Sequence, residues 1–537
     1  MSTRRIFTNG KIFTSNPEQP YAEAMIVQDG KIEWIGDESA LSSGGEVVVN
    51  LQGKRVIPGL IDAHMHPYFT AKAAKQIPCL PPVVNSIKEL QEEIRKKIEA
   101  EGKEIWVESW GYDEGKLAEK RAPTRQDLDE ASTEVPIVAT RTCVHIISAN
   151  SKALELAGIT RNTPDPPGGE IDRDKNGEPT GILRETARDL VLNKIPEKSL
   201  DDEADLLARL SSHLFSHGIT SVTELYARTK PSDYLTMYNK AKEKGYKQRS
   251  VIYYFWNDIA ADPVFAKQQL DREKQNHIGG IKLLSDGSIS GQTAWMKEPF
   301  RGSDNVCGIR TCTKEELLAG AEAAKENGVQ LIIHAMGDAA IEFIAETFSG
   351  IEPWLPDGPS IRIEHACLPS EKALKLCAEA EIAFVPQPIF IYAEIESYIK
   401  NLGLERTQQT YPLKTMLNYG IQVALSSDAP ATAWADPVNP FVGIKAAVTR
   451  RAYNGTDLGE KERISVETAI ELYTRGAQEV TRIPHTGQLK PGYFADFAVL
   501  DKDILKDDPE TIDQTRVQET YMNGELVFSV SVTTGNL

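Results

Sequence analysis

The chain has 537 residues, 41% of them hydrophobic, and a formal net charge of −18 at pH 7. A large core can be filled from that composition. A field so negative argues against nucleic acid and anionic membrane as partners, because no basic patch can dominate it.

No apolar run approaches the ~18 residues needed to cross a bilayer. Met1-Ser2-Thr3-Arg4-Arg5-Ile6-Phe7 passes straight into strand-like residues, without the apolar stretch of a secretion signal. The six cysteines (Cys79, Cys143, Cys307, Cys312, Cys367, Cys377) form no CxxC pair and read as reduced thiols. A cytoplasmic location is therefore expected.

In chain order, residues 6–57 read as short strands, with Asn9-Gly10 and Asp29-Gly30 as hairpin turns. Residues 495–500 and 519–527 read the same way. Neither end holds enough strands for a domain of its own. The prediction is one β domain built from 1–57 plus 481–537, with 58–480 inserted between them. From residue 58 strands alternate with helices. Helices are predicted at 86–100, 201–217, 313–328 and 370–380. Strands are predicted at 220–224, 280–284, 330–334, 360–365, 382–386 and 423–428. Alternation of this kind implies an α/β fold with a parallel sheet, and about eight strands imply a closed (β/α)8 TIM-type barrel. Residues 110–185 break the rhythm with turn-rich segments such as Pro164-Asp165-Pro166-Pro167-Gly168-Gly169 and read as an insertion on the barrel.

Barrel chemistry sits at the C-terminal ends of strands, and there the titratable residues collect. The run Val56 to His66 ends in two histidines one residue apart. The strand period of two points His64 and His66 the same way, half of a tetrahedral metal site. His334, His365 and Asp428 close later strands. Separately, each has a plainer reading: a carbonyl-bonded histidine, half of a salt bridge with Glu364, a helix N-cap. Together they fit one divalent metal site, zinc first, with manganese, iron or nickel as alternatives. Lys282 lies inside an apolar strand. A protonated lysine repels a cation, whereas a carbamate formed with CO2 is an anionic oxygen ligand. The alternative is an ammonium paired with a carboxylate such as Asp286. His213, His217, His277 and His485 are assigned to the surface. Trp110, Tyr112, Gln387, Arg406 and Trp434 are candidates for contact with substrate, with packing and surface pairing as their alternatives.

These residues resemble the amidohydrolase superfamily over nearly the whole chain, through Pro58-Gly59-Leu60-Ile61-Asp62-Ala63-His64-Met65-His66 and Gly487-Gln488-Leu489-Lys490-Pro491-Gly492. Trp110-Gly111-Tyr112-Asp113, Asn150-Ser151-Lys152-Ala153-Leu154, Lys282-Leu283-Leu284-Ser285-Asp286-Gly287-Ser288 and Ser427-Asp428-Ala429-Pro430 resemble the amidohydrolase-3 branch, that of YtcJ-like and N-substituted formamide deformylase-like proteins. The resemblance implies a metal-bearing barrel beside a β-sandwich made of both chain ends. It implies His64 and His66 on one metal, His334 and His365 on a second, carboxylated Lys282 as the bridge, and Asp428 as acid/base and further ligand. His145 matches a histidine of the branch and is placed on the substrate side. Glu224 stands where relatives often have aspartate.

The implied reaction is hydrolysis of an amide-like C–N bond of a small molecule by metal-activated hydroxide, with one or two zinc ions. Esters, lactones, cyclic imides, deamination or decarboxylation on the same centre are the enzymatic alternatives, and a catalytically silent scaffold is the alternative of another class. A homodimer is expected only by analogy with similar barrels.

Overall fold

The computed structural model describes residues 4–41, 47–142, 146–167, 169–196 and 198–530. The residue pattern produces the barrel directly. Seven parallel strands follow one another in chain order: β1 (Leu60–Met65), β2 (Ile219–Ala227), β3 (Arg249–Phe255), β4 (Asn276–Leu284), β5 (Gln330–Ala335), β6 (Ile361–His365) and β7 (Ala383–Val385). Residues 423–428 form the eighth stave without regular strand pairing. Val423 bridges Phe384 in parallel, and the Asp428 amide donates to the His64 carbonyl at 2.7 Å, which closes the ring.

Register aligns the functional ends. Lys282 pairs with Ile332 and Ile332 with Arg362; two residues on, Leu284 pairs with His334 and His334 with Glu364. The helices carry the expected punctuation. Lys314–Asn327 starts at Thr313, which exchanges hydrogen bonds with Glu316, and ends at Gly328, left-handed at φ 65°. The strand β3 was not among the predicted ones.

Two sheets, one from the N-terminal strands alone and one from both chain ends, pack face to face. One joins Arg5–Thr8, Ala24–Gln28, Lys31–Gly36 and Val47–Asn50; the other joins Lys11–Phe13, Tyr21–Ala22, Arg55–Pro58, Phe497–Leu500, Val517–Met522 and Glu525–Ser529. Phe7, Met25, Val27, Val56, Phe497 and Tyr521 fill the layer between them. Asp29-Gly30 makes a two-residue hairpin, with Gln28 opposite Lys31 and both turn residues at positive φ, as the strand twist requires. Asn9-Gly10 does not: its flanking strands lie in different sheets, so the turn carries the chain from one layer to the other.

By contacts the chain divides into two compact units. Met1–Pro67, Leu207–Ala429 and Val438–Leu537 form the first; Tyr68–Leu206 and Pro430–Pro437 form the second. The expected insertion lies inside the second, which is built on a six-stranded mixed sheet from Ile77–Pro78, Val107–Tyr112, Ile137–Arg141, Ile146–Ala149, Gly169–Arg173 and Pro179–Glu185. The amphipathic helix Ile87–Glu101 covers it with Ile87, Leu90 and Ile94. Among the described residues no helix is long and apolar enough to cross a membrane.

Candidate metal centre

The ends of β1, β5 and β6 bring four imidazoles together. Ring centroids of His64 and His66 are 5.7 Å apart, those of His64 and His365 4.7 Å, and those of His334 and His365 4.5 Å. Asp428 faces the first pair. Its Oδ1 lies 3.2 Å from His64 Nε2 and 3.1 Å from His66 Nε2. Neither contact has hydrogen-bond angles, and Asp428 Oδ1 is a buried oxygen without a hydrogen-bond partner. Donors bonded tetrahedrally to zinc at about 2.0–2.1 Å stand about 3.3 Å apart. The spacing of His64, His66 and Asp428 fits that ion, and these three form one compact ligand group.

Three of the four rings are oriented through the nitrogen that the protein occupies. His64 Nδ1 is 2.7 Å from Glu364 Oε2, His365 Nδ1 is 2.7 Å from Gln387 Oε1, and His334 Nε2 is 2.9 Å from the Gly287 carbonyl. An acceptor at one ring nitrogen fixes the proton there and leaves the lone pair on the other, the usual arrangement of a metal-binding histidine.

Electrostatics point the same way. Burial pulls the His66 imidazole down, but the neighbouring carboxylates of Asp428 and Glu224 outweigh it and raise the ring to about 9. The carboxylates that favour a proton there equally favour a metal cation. Burial pushes Asp428 up, yet His64, His66 and His365 hold it well below the usual carboxylate range. Burial, with the charges of His334 and His64, holds His365 well below the ordinary imidazole value.

Lys282 is buried, and its Nζ has no hydrogen-bond partner. Burial brings the amine down to about 8 against the opposing pull of Glu364 and Asp428. The alternative partner, Asp286, is committed elsewhere: its carboxylate accepts from the amides of Met336 (3.0 Å), Gly337 (2.8 Å) and Trp295 (2.9 Å). A buried amine without a hydrogen-bond partner, its hold on a proton weakened by burial, fits a lysine that carries a carbamate.

The other predicted contacts separate. Gln387 is fully buried; it accepts from His365 and donates to the Val385 carbonyl (2.7 Å) and Ser426 Oγ (3.0 Å). It therefore positions a histidine rather than meeting substrate. Arg406 donates to the Pro299 carbonyl at 2.9 Å, a loop anchor. In the second unit Tyr112 is fully buried in the apolar core, so the packing alternative holds for it, whereas Trp110 and Trp434 are half-buried. His145 lies outside the described residues. His277 is not on the surface but 2% exposed.

Sequence reading missed Arg362, and it placed Glu364 beside His365 rather than under His64. The signal was available: two charges at alternate positions of the apolar strand Ile361-Arg362-Ile363-Glu364-His365 share one face. Asp62 was missed as well. It accepts from Ser427 Oγ at 2.6 Å and from the amides of Ser427 and His64, both at 3.2 Å, which ties the end of β1 to the eighth stave.

Comparison with known proteins agrees with this geometry. YtcJ of Bacillus subtilis (strain 168) is 30% identical, over 98% of this chain and 100% of its own length. The N-substituted formamide deformylase of Arthrobacter pascens is 26% identical, with 97% of each covered. The crystal structure of an uncharacterized metal-dependent hydrolase from Pyrococcus horikoshii OT3 superposes with a TM-score of 0.75 at 25% identity, covering 95% of this chain and 99% of that one. A second, from Pyrococcus furiosus, gives 0.71 at 27%, covering 94% and 100%. The amidohydrolase family model matches residues 47–528. A barrel of this topology, histidines gathered at its strand ends and likeness along almost its full length place the chain in the amidohydrolase family.

Proposed function

We propose that the protein is a metal-dependent hydrolase that cleaves an amide-like C–N bond of a small molecule, with Asp428 as general base and then acid. The observation that carries this is the position of Asp428 Oδ1, buried, without a hydrogen-bond partner and within 3.2 Å of two imidazole nitrogens. His64, His66 and Asp428 would hold one divalent ion; His334 and His365 face the same space and would hold a second, with carboxylated Lys282 between. A bound divalent ion brings a coordinated water towards a pKa of about 7 and polarises a carbonyl oxygen.

The chain's own residues supply the rest. Asp428, kept ionised by the imidazoles around it, takes a proton from the attacking water and delivers it to the leaving nitrogen. Gln387, Glu364 and the Gly287 carbonyl keep the rings in register while charge develops. Support for a C–N bond comes from the deformylase relative, whose name states action on an N-substituted formamide. Another relative is named an exoenzymes regulatory protein, of Pectobacterium carotovorum. A silent regulatory role would not require the full set of imidazoles and carboxylate present in this chain.

The test is a screen of N-formyl compounds, other amides and esters with the wild type and Asp428→Asn. The expected result is turnover of an amide or formamide that falls by about 10²–10⁴-fold in the variant, with metal content near normal. Undiminished turnover by Asp428→Asn removes the proposed role.

A further inference from the structure

Two fully buried charges sit against the histidine cluster. Arg362 and Glu364 are both 0% exposed and leave the same face of β6. Arg362 Nε donates to Glu364 Oε1 at 2.9 Å, and Nη2 reaches Oε2 at 3.2 Å. Nη2 also donates to the Ala63 carbonyl at 2.8 Å, and Nη1 to the Tyr253 hydroxyl at 3.0 Å. That hydroxyl donates to Gln330 Oε1 at 2.7 Å, and Gln330 Nε2 is anchored on the carbonyls of Pro359 (2.7 Å) and Val480 (3.0 Å). The column is bonded at every link.

A buried ion pair seldom stabilises a fold more than apolar side chains of equal volume, because desolvation offsets the attraction. Stability alone is a poor reason for this pair. Among its contacts, the one that reaches the histidine cluster is the 2.7 Å bond between Glu364 Oε2 and His64 Nδ1, which apolar residues could not replace.

We propose that Glu364, clamped by Arg362, is the positioning residue that fixes the tautomer and ring plane of His64, so that Nε2 meets the metal with its lone pair. The proposal rests on the metal reading above and adds to it the coordinating atom of His64 and the groups that select it. A carboxylate bonded to one nitrogen also makes the other a stronger donor to a metal.

The experiment measures zinc and cobalt affinity of the metal-free full-length protein by chelator competition, together with the visible spectrum of the cobalt form. Glu364→Gln keeps shape and an acceptor oxygen but removes the charge. The pair Arg362→Met with Glu364→Met removes both charges together, and it decides alone if Glu364→Gln does not fold. Affinity is expected to fall about 10–100-fold in each folded variant, with a changed cobalt spectrum and an unchanged far-ultraviolet circular dichroism spectrum before metal is added. Wild-type affinity and spectrum in the folded variants would overturn the role of Glu364 and leave the metal reading standing. A wild type that binds neither ion would overturn both.

Discussion

Asp428 sits at φ 54°, a left-handed conformation that side chains other than glycine rarely adopt, and His365 and Ala366 follow suit at 70° and 45°. Each such residue costs on the order of 1–3 kcal/mol, and here the strain falls on strand ends that aim functional groups. Lys282 offers the sharpest test at this scale. Lys282→Ala should lose bound metal and activity, and added bicarbonate or a short carboxylic acid should restore part of both by supplying the missing anionic oxygens. Metal content unchanged in the variant would sink the carbamate ligand. At this scale the sequence was informative about placement: His64, His66, His334, His365 and Asp428 were visible as candidates at strand ends, and the structure gathers them there. Gln387 and Glu364 were visible as residues but not as roles, because a hydrogen bond across the barrel depends on register that no local pattern carries. Both readings of Tyr112, substrate contact and packing, stood open in the sequence, because an aromatic on a strand looks the same whether it faces a pocket or a core; it lies in the core.

At the scale of elements, β1 and the eighth stave depend on one carboxylate. Asp62 is pushed up to about 6 by burial, against hydrogen bonds from Ser427 and His64, yet it bridges a junction that has almost no strand pairing of its own. Asp62→Ala removes the carboxylate that accepts from the Ser427 hydroxyl and from the amides of Ser427 and His64, and should cost about 1–3 kcal/mol. Urea unfolding would measure this loss, and metal affinity should fall with it; unchanged stability would show that the junction holds without the staple. Helix limits were legible because Thr313, Glu316 and Gly328 state them in local chemistry. The strand β3 was not: Ser250-Val251-Ile252-Tyr253-Tyr254-Phe255 ends in no titratable residue, so attention to strand-end chemistry passed over it. Asn9-Gly10 shows the converse limit. A turn signal reports a reversal of direction, not whether the strands on either side pair.

For the whole molecule, the pH dependence of stability has an identifiable source away from the centre. Burial, with Arg272 nearby, depresses His277 to about 4, against 6.5 when exposed. The unfolded chain therefore binds the proton more readily. The contribution of His277 is fully present above about pH 6.5 and is lost as pH falls towards 4, by about 3 kcal/mol in all. His277→Gln should flatten that part of the stability profile in urea unfolding followed from pH 7 to pH 4; an identical slope would assign the loss to other groups. The fold class was legible because βα alternation is a global pattern written locally many times; the chain ends are harder to read, because the first supplies a four-stranded sheet by itself while the second sheet draws strands from both.

The proposed metal centre draws imidazoles from β1, β5 and β6 together with Asp428. The most direct measurement is the metal content per chain of the purified protein beside that of the His64→Ala, His66→Ala double variant. At least one equivalent of divalent metal is expected in the wild type, most of it lost in the variant together with hydrolysis. Equal metal content in the two proteins, or full hydrolytic activity in wild type stripped of metal, would contradict it.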